Sequence, residues 1–176
     1  MLVDGSTIQL ARTGDRRARA TLLAGLQDVW YRFALGLLGD AQAAREATQE
    51  TAMRFLQRLG EFRGHSQLRT WSLGIALNVV REMRRRPAMA QLIEEPPIAQ
   101  AGPVEALMRQ EDQGRVRSLL AALPPRQREA VVLRFFEELS VEETAQAMQC
   151  SEGTVKATVH QALRALRLGL DQSVRP

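Results

Sequence analysis

The chain has 176 residues, enough for one medium domain or two small ones. It carries 24 basic and 20 acidic side chains, and 45% of its residues are hydrophobic, so a buried core can form. Its single cysteine excludes an internal disulfide and any multi-cysteine metal site. No apolar run approaches the roughly 18 residues that a membrane helix needs, and the first residues lack the apolar stretch of a signal peptide. We therefore expect a cytoplasmic protein without membrane insertion.

The positive charge is concentrated in the first half of the chain. Residues 1–86 hold 14 basic and 8 acidic side chains, a net charge of +6, whereas residues 87–103 hold only two glutamates. Residues 104–176 hold ten of each sign and are neutral. We expect the first half to attract phosphates strongly and residues 104–176, taken alone, to attract them weakly.

The first predicted elements are helices. Residues 1–11 show no clear period and are expected to fray. Apolar residues at three-to-four spacing predict a core-facing helix from about residue 18, and Gly39 is expected to end it. Asp40 is placed to cap a second helix over about 41–59.

A third helix is predicted over about 67–86, after a loop at 62–66. Its outer face carries several arginines, which suit DNA phosphates but also suit an ordinary solvated surface. Trp71 is interpreted as a core residue rather than a platform on which a base stacks. The inner face is expected to contain Leu68, Trp71, Ile75, Val79 and Met83.

Residues 87–103 contain four prolines and one glycine, a composition typical of a partly extended linker. Beyond it a helix is predicted over 104–123, with Val116 turned inward. Pro124 and Pro125 are expected to begin the next helix, because proline suits a first helical turn. The apolar side of that helix is predicted to hold Val131, Val132, Phe135, Phe136 and Leu139.

Two helices with a very short turn are predicted after Leu139. Ser140 and Glu143 have the spacing of a capping box at the start of the first helix. Gln149 and Cys150 make the break, and Ser151 caps the second helix. An ordinary helical hairpin would share this pattern, but a small, polar outer face favours a helix-turn-helix whose second helix enters the major groove of DNA.

No segment has the two-residue period of a strand. The sequence therefore predicts an all-α fold of two small helical modules, residues 12–86 and 104–172, joined by the proline-rich linker 87–103. The second module contains the helix-turn-helix.

Motifs in the second module resemble region 4 of bacterial sigma factors. They are LPPRQRE at 123–129, LSVEE at 139–143 and SEGTVK at 151–156. Regulators of the LuxR type share part of this pattern, so the second module alone does not decide the family.

Motifs in the first module resemble region 2 of the extracytoplasmic-function (ECF) sigma factors, minimal members of the sigma-70 family with regions 2 and 4 only. They are LLGD at 37–40, QE at 49–50, FRGHS at 62–66, RTW at 69–71 and GIALN at 74–78. LuxR-type regulators have nothing similar in this half. The resemblance covers about residues 10–170, and the chain is identified as a member of the ECF group.

The resemblance implies that residues 62–86 open the −10 promoter element and read it as a single strand. The residues matched to this role are Arg63, His65, Arg69, Asn78, Arg81, Arg84 and Arg85. It also implies that the helix over 41–59 binds core RNA polymerase, although an ordinary solvated helix face remains the alternative. The residues matched to polymerase binding are Arg45, Glu46, Gln49 and Glu50.

The resemblance further implies that the second helix of the helix-turn-helix contacts the −35 element. Arginines that the family usually has near Thr158 and Gln161 are missing here. Four glutamates at 137, 138, 142 and 143 would repel DNA, and we expect them on the polymerase side. The residues assigned to −35 binding are Ser151, Gly153, Thr154, Lys156, Thr158, His160, Gln161 and Arg164.

The implied function is that of an ECF-type sigma factor directing promoter-specific transcription initiation. Its partners would be core RNA polymerase, promoter DNA and an anti-sigma factor, and the chain would be monomeric when free. No motif for catalysis, a cofactor or a metal is found, so an enzyme is not expected. Two rivals are a DNA-binding regulator that does not recruit polymerase and a sigma mimic that sequesters an anti-sigma factor.

Overall fold

The computed structural model of the chain describes residues 5–86, 114 and 116–173, with side chains described to residue 168. The predicted linker at 87–103 and the first ten residues of the helix predicted over 104–123 lie outside these ranges. Within them the regular structure is helical throughout and includes no strand, which confirms the predicted all-α class.

Four helices form the first half of the structure. The prediction that residues 1–11 fray is wrong for residues 5–11, because these residues belong to a helix that buries Ala11 completely. The helices are α1 (Gly5–Arg12), α2 (Arg16–Leu38), α3 (Ala41–Arg58), which runs into a 3₁₀ turn (Leu59–Glu61), and α4 (Leu68–Arg85).

Side-chain caps set the boundaries of the first long helices. Asp15 accepts a hydrogen bond from the backbone N–H of Ala18 at 2.7 Å, and Asp40 accepts one from Ala43 at 2.6 Å. Both bonds satisfy donors that the first helical turn leaves open. Gly39 ends α2 with a φ of 75°, which glycine adopts without steric cost.

The second half begins with a helix at residues 116–122, called α5 here. Pro125 occupies the first turn of the following helix, as predicted. The later elements are α6 (Pro125–Val131), a π turn that continues it (Val132–Phe136), α7 (Val141–Met148) and α8 (Glu152–Ser173).

The π turn overturns the prediction that Phe135 and Phe136 face the core. Their side chains are 51% and 55% exposed, whereas Val132 and Leu133 are buried. A π turn adds one residue to the helical repeat, so the following side chains rotate away from the expected face. Val116 was also expected inward and is 44% exposed, because the apolar cluster beside α5 begins one turn later, at Leu120.

The main core is built around aromatic side chains. Trp30 is fully buried, donates its indole N–H to Ser72 Oγ at 3.0 Å and lies 5.2 Å from the Phe55 ring, centroid to centroid. Trp71 is half-buried and lies 5.7 Å from the same ring, which agrees with its interpretation as a core residue.

The same buried cluster extends into the second half of the chain. It includes Val132 and Leu133 from the π turn and Ala147 and Met148 from α7. A separate small cluster of Leu120, Leu123, Val131 and Ala162 lies wholly within the second half. The two predicted modules are therefore packed against each other, an arrangement that sequence periodicity did not indicate.

Candidate nucleic-acid interface

The helix-turn-helix forms as the sequence predicts. Ser140 Oγ accepts the backbone N–H of Glu143 at 3.0 Å, and the Glu143 carboxylate accepts the backbone N–H of Ser140 at 2.8 Å. Gln149 ends α7 in the left-handed region, with a φ of 55°. Ser151 Oγ then accepts the backbone N–H of Thr154 at 3.1 Å and caps α8.

The outer face of α8 is exposed and polar. Val155 and Ala162 are fully buried on its inner face, so the opposite face points to solvent. Lys156 lies one turn into the helix, where Glu152 is 3.5 Å from its ammonium group. The residues predicted for −35 binding are exposed except for Thr158, which is half-buried; they are Ser151, Gly153, Thr154, Lys156, Thr158, His160, Gln161 and Arg164.

The Ser140→Ala variant should lower the free energy of unfolding by about 1 kcal/mol, because it removes one bond of the capping box. Urea denaturation followed by circular dichroism measures this loss. Thr21→Ala is the matched control, since Thr21 is an exposed hydroxyl that bonds only to the carbonyl of Arg17 within α2. An equal loss in both variants would contradict a special role for the cap.

The capping box also makes stability depend on pH. The Glu143 carboxylate accepts the backbone N–H of Ser140, and this bond is the main cause that lowers its pKa. The stabilisation is therefore complete above the ordinary pKa of a glutamate and is lost as the pH falls through the lowered value.

The candidate −10 residues divide into two groups in the structure. Arg63 and His65, in the loop before α4, and Arg85, at its end, are exposed, and Asn78 is half-buried in the middle of α4. Arg69, Arg81 and Arg84 instead turn toward the second half of the chain or the end of α2. The basic face of α4 is thus partly covered by the second half of the chain and by the end of α2. The sequence had predicted that the arginines of this face point to solvent.

The covering groups are two glutamates that sequence reasoning did not connect with α4. Arg81 Nη2 lies 2.7 Å from Glu129 Oε2, and the Glu129 side chain is only 2% exposed. Arg69 bonds both the carboxylate and, at 2.8 Å, the backbone carbonyl of Glu137, whose side chain is 4% exposed. Burial raises the pKa of Glu137, and the charge of Arg69 opposes that shift.

Two of the four glutamates that were expected to face the polymerase instead contact residues of α4. Glu137 is held by Arg69, and Glu143 accepts a hydrogen bond from Thr70 Oγ1 at 3.0 Å. Glu138 and Glu142 are exposed.

At the end of α2, one backbone carbonyl accepts hydrogen bonds from an arginine of each half of the chain. The carbonyl of Leu37 accepts Arg84 Nη2 at 2.5 Å and Arg128 Nη1 at 3.2 Å. Burial lowers the pKa of both guanidinium groups. The last carbonyls of a helix carry partial negative charge, which explains why two cations gather there.

Glycines allow the two halves to approach closely. A Cβ atom placed on Gly74 of α4 would lie 3.6 Å from the carbonyl oxygen and 3.7 Å from the Cα of Ala147 in α7. A Cβ on Gly36 of α2 would lie 3.6 Å from a methyl of Val132. A methyl group at either position would be in ordinary van der Waals contact, and only a side chain larger than alanine would push the helices apart.

The predicted polymerase-binding residues share the outer face of α3. Arg45, Glu46 and Gln49 are exposed. Glu50 is partly engaged, because Arg54 contacts it at 2.6 Å and also contacts Glu82 of α4 at 2.7 Å. Beside this face a groove of about 240 Å³ lies between α2 and α3, lined by Leu23, Gln27, Trp30, Tyr31, Arg45, Thr48, Gln49 and Ala52.

Within the described ranges, no three histidine, cysteine or carboxylate side chains come together in a way that could hold a metal ion. None of the helices there is both long and apolar enough to cross a membrane. The charged features of this part of the chain are the exposed face of α8, the basic face of α4 and the outer face of α3.

Two family models match the chain, in the order that the motifs predicted. Residues 22–88 match Sigma-70 region 2, and residues 113–166 match Sigma-70, region 4. Together the two matches include the covered arginines of α4 and most of α8.

Curated relatives are similar over most of their length. The chain is 30% identical to the RNA polymerase sigma-H factor of Pseudomonas aeruginosa, over 98% of this chain and 96% of the relative. It is 32% identical to the ECF RNA polymerase sigma factor SigX of Bacillus subtilis, over 78% of this chain and 75% of that protein.

Solved structures share the fold. The structure of CnrH in complex with the cytosolic domain of CnrY matches with a TM-score of 0.71 at 24% identity, over 94% of this chain and 96% of the other. The sigma factor RpoE of Bartonella quintana, in complex with the anti-sigma factor NepR, matches with a TM-score of 0.69 at 25% identity, over 86% of this chain and 96% of the other.

Proposed function

Because the chain belongs to the ECF RNA polymerase sigma factors of the sigma-70 family, we propose how its residues divide the work of promoter-specific transcription initiation. Residues 12–86 bind core polymerase and open the −10 element. Residues 104–172 bind the −35 element, and residues 87–103 join the two parts. The observation that carries this proposal is the full-length similarity in the order region 2, then region 4.

The α8 helix reads the −35 duplex in this proposal. Its capped first turn places the backbone N–H groups near Gly153 where they can meet a phosphate. Lys156 and Arg164 hold further phosphates, and Thr158, His160 and Gln161 are placed for base edges. The exposure of this face in the structure supports the assignment.

The loop at 62–66 and α4 bind the opened strand of the −10 element. Arg63 and Arg85 are exposed cations at either end of this segment, and Asn78 lies between them with an amide that can bond a base edge. Separating and flipping a base costs a few kcal/mol, which contacts to the extruded base offset. Arg69 and Arg81 join this surface only after the two halves separate, because each is paired with a glutamate of the second half. Arg84 is held within the first half by the carbonyl of Leu37.

Core RNA polymerase is the partner of the α3 face, through Arg45, Glu46, Gln49 and Glu50. The polymerase supplies the chemistry, so this chain is an initiation factor rather than an enzyme and acts where transcription occurs, in the cytoplasm. An anti-sigma factor is a further partner, since RpoE and CnrH were each solved with a bound protein and NepR is named as such a factor.

The Asn78→Ala variant should reduce promoter opening about tenfold, because one hydrogen bond to a base is worth on the order of 1.4 kcal/mol. The test is run-off transcription with purified core polymerase and genomic promoter fragments, with permanganate mapping of the opened strand. Gln9→Ala removes an amide on α1 as the matched control. Unchanged opening in the Asn78 variant would remove this residue from the proposed surface.

Core binding separates the rivals from this proposal. A regulator that does not recruit polymerase would bind promoters but would not compete with another sigma factor for the core enzyme. A mimic that only sequesters an anti-sigma factor has no use for Asn78 or for the exposed polar face of α8. Failure of the wild-type chain to direct any run-off product would overturn the proposed function.

A further inference from the structure

A cleft of about 430 Å³ lies between the first helix, α1, and the loop at 62–66. Its volume falls within the range of roughly 300–1,000 Å³ that is typical of ligand sites. One wall comes from α1 and the opposite wall from the loop. The residues that line the cleft are Gly5, Ile8 and Arg12 from α1, and Phe62, Arg63 and Gly64 from the loop.

The helix α1 is held in place by contacts with two other elements. Ala11 is completely buried, and its carbonyl accepts a hydrogen bond from Arg19 Nε of α2 at 2.9 Å. Arg12 Nη2 donates to the carbonyl of Gly60, in the 3₁₀ turn that precedes the loop, at 3.2 Å. The partners lie 8 and 48 residues further along the chain, so the α1 wall is fixed before any ligand arrives.

The loop wall has a buried start and an open middle. Phe62 is 8% exposed, and its ring lies 5.3 Å from the Trp71 ring, centroid to centroid. Gly64 has a φ of 76°, and a Cβ atom placed on it would meet no atom within 4 Å. The backbone at Gly64 is therefore open to the close approach of another chain.

The cleft has one arginine on each wall. Arg12 and Arg63 are both exposed. The carbonyl that Arg12 contacts is neutral, so this bond leaves the positive charge of Arg12 in place. A guanidinium has five N–H donors, so Arg12 can bind an anion beside this bond. The neighbouring acidic residue, Glu61, is paired with Arg58 at 2.9 Å, which balances its charge. Two guanidinium groups on opposite walls suit successive phosphates of a nucleic-acid strand.

We propose that the sugar-phosphate backbone of the opened −10 strand passes through this cleft, with Arg12 binding one phosphate from α1 and Arg63 binding another from the loop. This inference rests on the proposed function, which assigns the opened strand to the loop. It adds α1 to the strand-binding surface, although α1 lies before residue 22, where the Sigma-70 region 2 match begins.

The test measures binding of a short fluorescent poly-dT strand to the full chain, because phosphate contacts do not depend on base sequence. Arg12→Gln should weaken binding about fivefold, the loss of roughly one charge-assisted hydrogen bond at an exposed site. The plot of log affinity against log salt should become shallower by about 0.7, the contribution of one phosphate on a single strand. Arg12→Lys should restore most of the affinity, because it keeps the positive charge.

The salt slope separates a phosphate contact from a structural role. A weaker Arg12→Gln variant with an unchanged slope would mean that Arg12 only supports the loop through Gly60, and the proposal would be overturned. Arg17→Gln is the matched control, since Arg17 is exposed in the same half and is not among the residues lining the cleft. Its affinity should stay within about twofold of the wild type. An equal loss in this control would indicate general attraction and would also overturn the proposal.

A gain of binding tests the cleft without removing any contact of α1. A Cβ atom on Gly5 would meet no atom within 4 Å, so Gly5→Lys adds a cation to the α1 wall without a clash. This variant should bind poly-dT about threefold more tightly. Gly114→Lys, at an equally open glycine of the second half, should stay within about 1.5-fold of the wild type. Equal tightening by both lysines would overturn the proposal, even if Arg12→Gln failed to fold.

Inorganic phosphate distinguishes the strand from a free anion. When phosphate replaces chloride at equal ionic strength, it should leave poly-dT binding unchanged, because a single anion contacts one arginine where the strand contacts two. Displacement of poly-dT from the wild type but not from Arg12→Gln would assign the cleft to a free phosphate group and overturn the path of the strand.

The outcomes for the two proposals differ. Run-off transcription by the wild type, together with unchanged poly-dT binding in Arg12→Gln, would leave the proposed function and remove the strand from the cleft. A loss of poly-dT affinity and a shallower salt slope in Arg12→Gln, without any run-off product from the wild type, would remove the proposed function and leave the cleft as a site for single-stranded nucleic acid.

Discussion

Reversing the charge of both Lys156 and Arg164 to glutamate is expected to weaken −35 binding by about tenfold or more and to lower run-off transcription to match. Both side chains are exposed on the outer face of α8. The second half of the chain has ten basic and ten acidic residues, so it has little other attraction for a duplex. Losing two phosphate contacts should also flatten the salt dependence, with a slope about 2 units smaller.

Arg16→Glu/Arg17→Glu is the matched control. These arginines are exposed at the start of α2, and the double reversal changes the net charge by the same amount. Association with core polymerase should be unchanged in both double variants, since neither pair lies on the outer face of α3. If the control lost as much −35 affinity as the α8 variant, general electrostatics rather than a recognition surface would account for the effect.

The sequence predicted the helices well where local chemistry sets them. Asp40 and Gly39 act on the residues next to them, so a cap and a left-handed turn can be read from a few letters. The capping box of Ser140 and Glu143 is equally local. The π turn was missed, because the 3.6-residue period assumed for Phe135 and Phe136 has no room for one extra residue.

The candidate site was predictable on α8 and less so on α4. The outer face of α8 is opposite a simple apolar stripe, so periodicity alone places His160 and Arg164 at the surface. The partners of Arg69 and Arg81 are 68 and 48 residues away in the sequence. Such pairs depend on how the two halves dock, which the pattern of either half does not encode.

Two glycines inside helices are the sequence feature that relates to the docking of the two halves, although their role is clear only from the structure. Gly36 and Gly74 lie inside long helices, where glycine is unfavourable by up to about 1 kcal/mol relative to alanine. Each faces the other half of the chain at van der Waals distance. An interior helical glycine thus indicates close packing against another element, although it does not say which.

Replacing Trp30 with alanine is expected to lower the free energy of unfolding by about 3–5 kcal/mol. The side chain is fully buried, contacts the Phe55 ring and bonds Ser72, so its removal leaves a cavity and an unmet acceptor. The melting temperature should fall by about 10 °C for a chain of this size. Thermal denaturation and urea titration measure the two quantities.

Trp30→Phe separates the hydrogen bond from the packing. Ser72 Oγ still donates to the carbonyl of Arg69 at 2.8 Å, so only its accepting role is lost, and the cost should be about 1–2 kcal/mol. Leu10→Ala, at a side chain that is 54% exposed, should stay within about 0.5 kcal/mol of the wild type. Trp71 remains as the single tryptophan fluorophore in both Trp30 variants. A loss below about 1 kcal/mol in Trp30→Ala would mean that the aromatic cluster does not hold α2 against α3 and α4. The proposed surfaces on α3, α4 and α8 would then have to be positioned by other contacts.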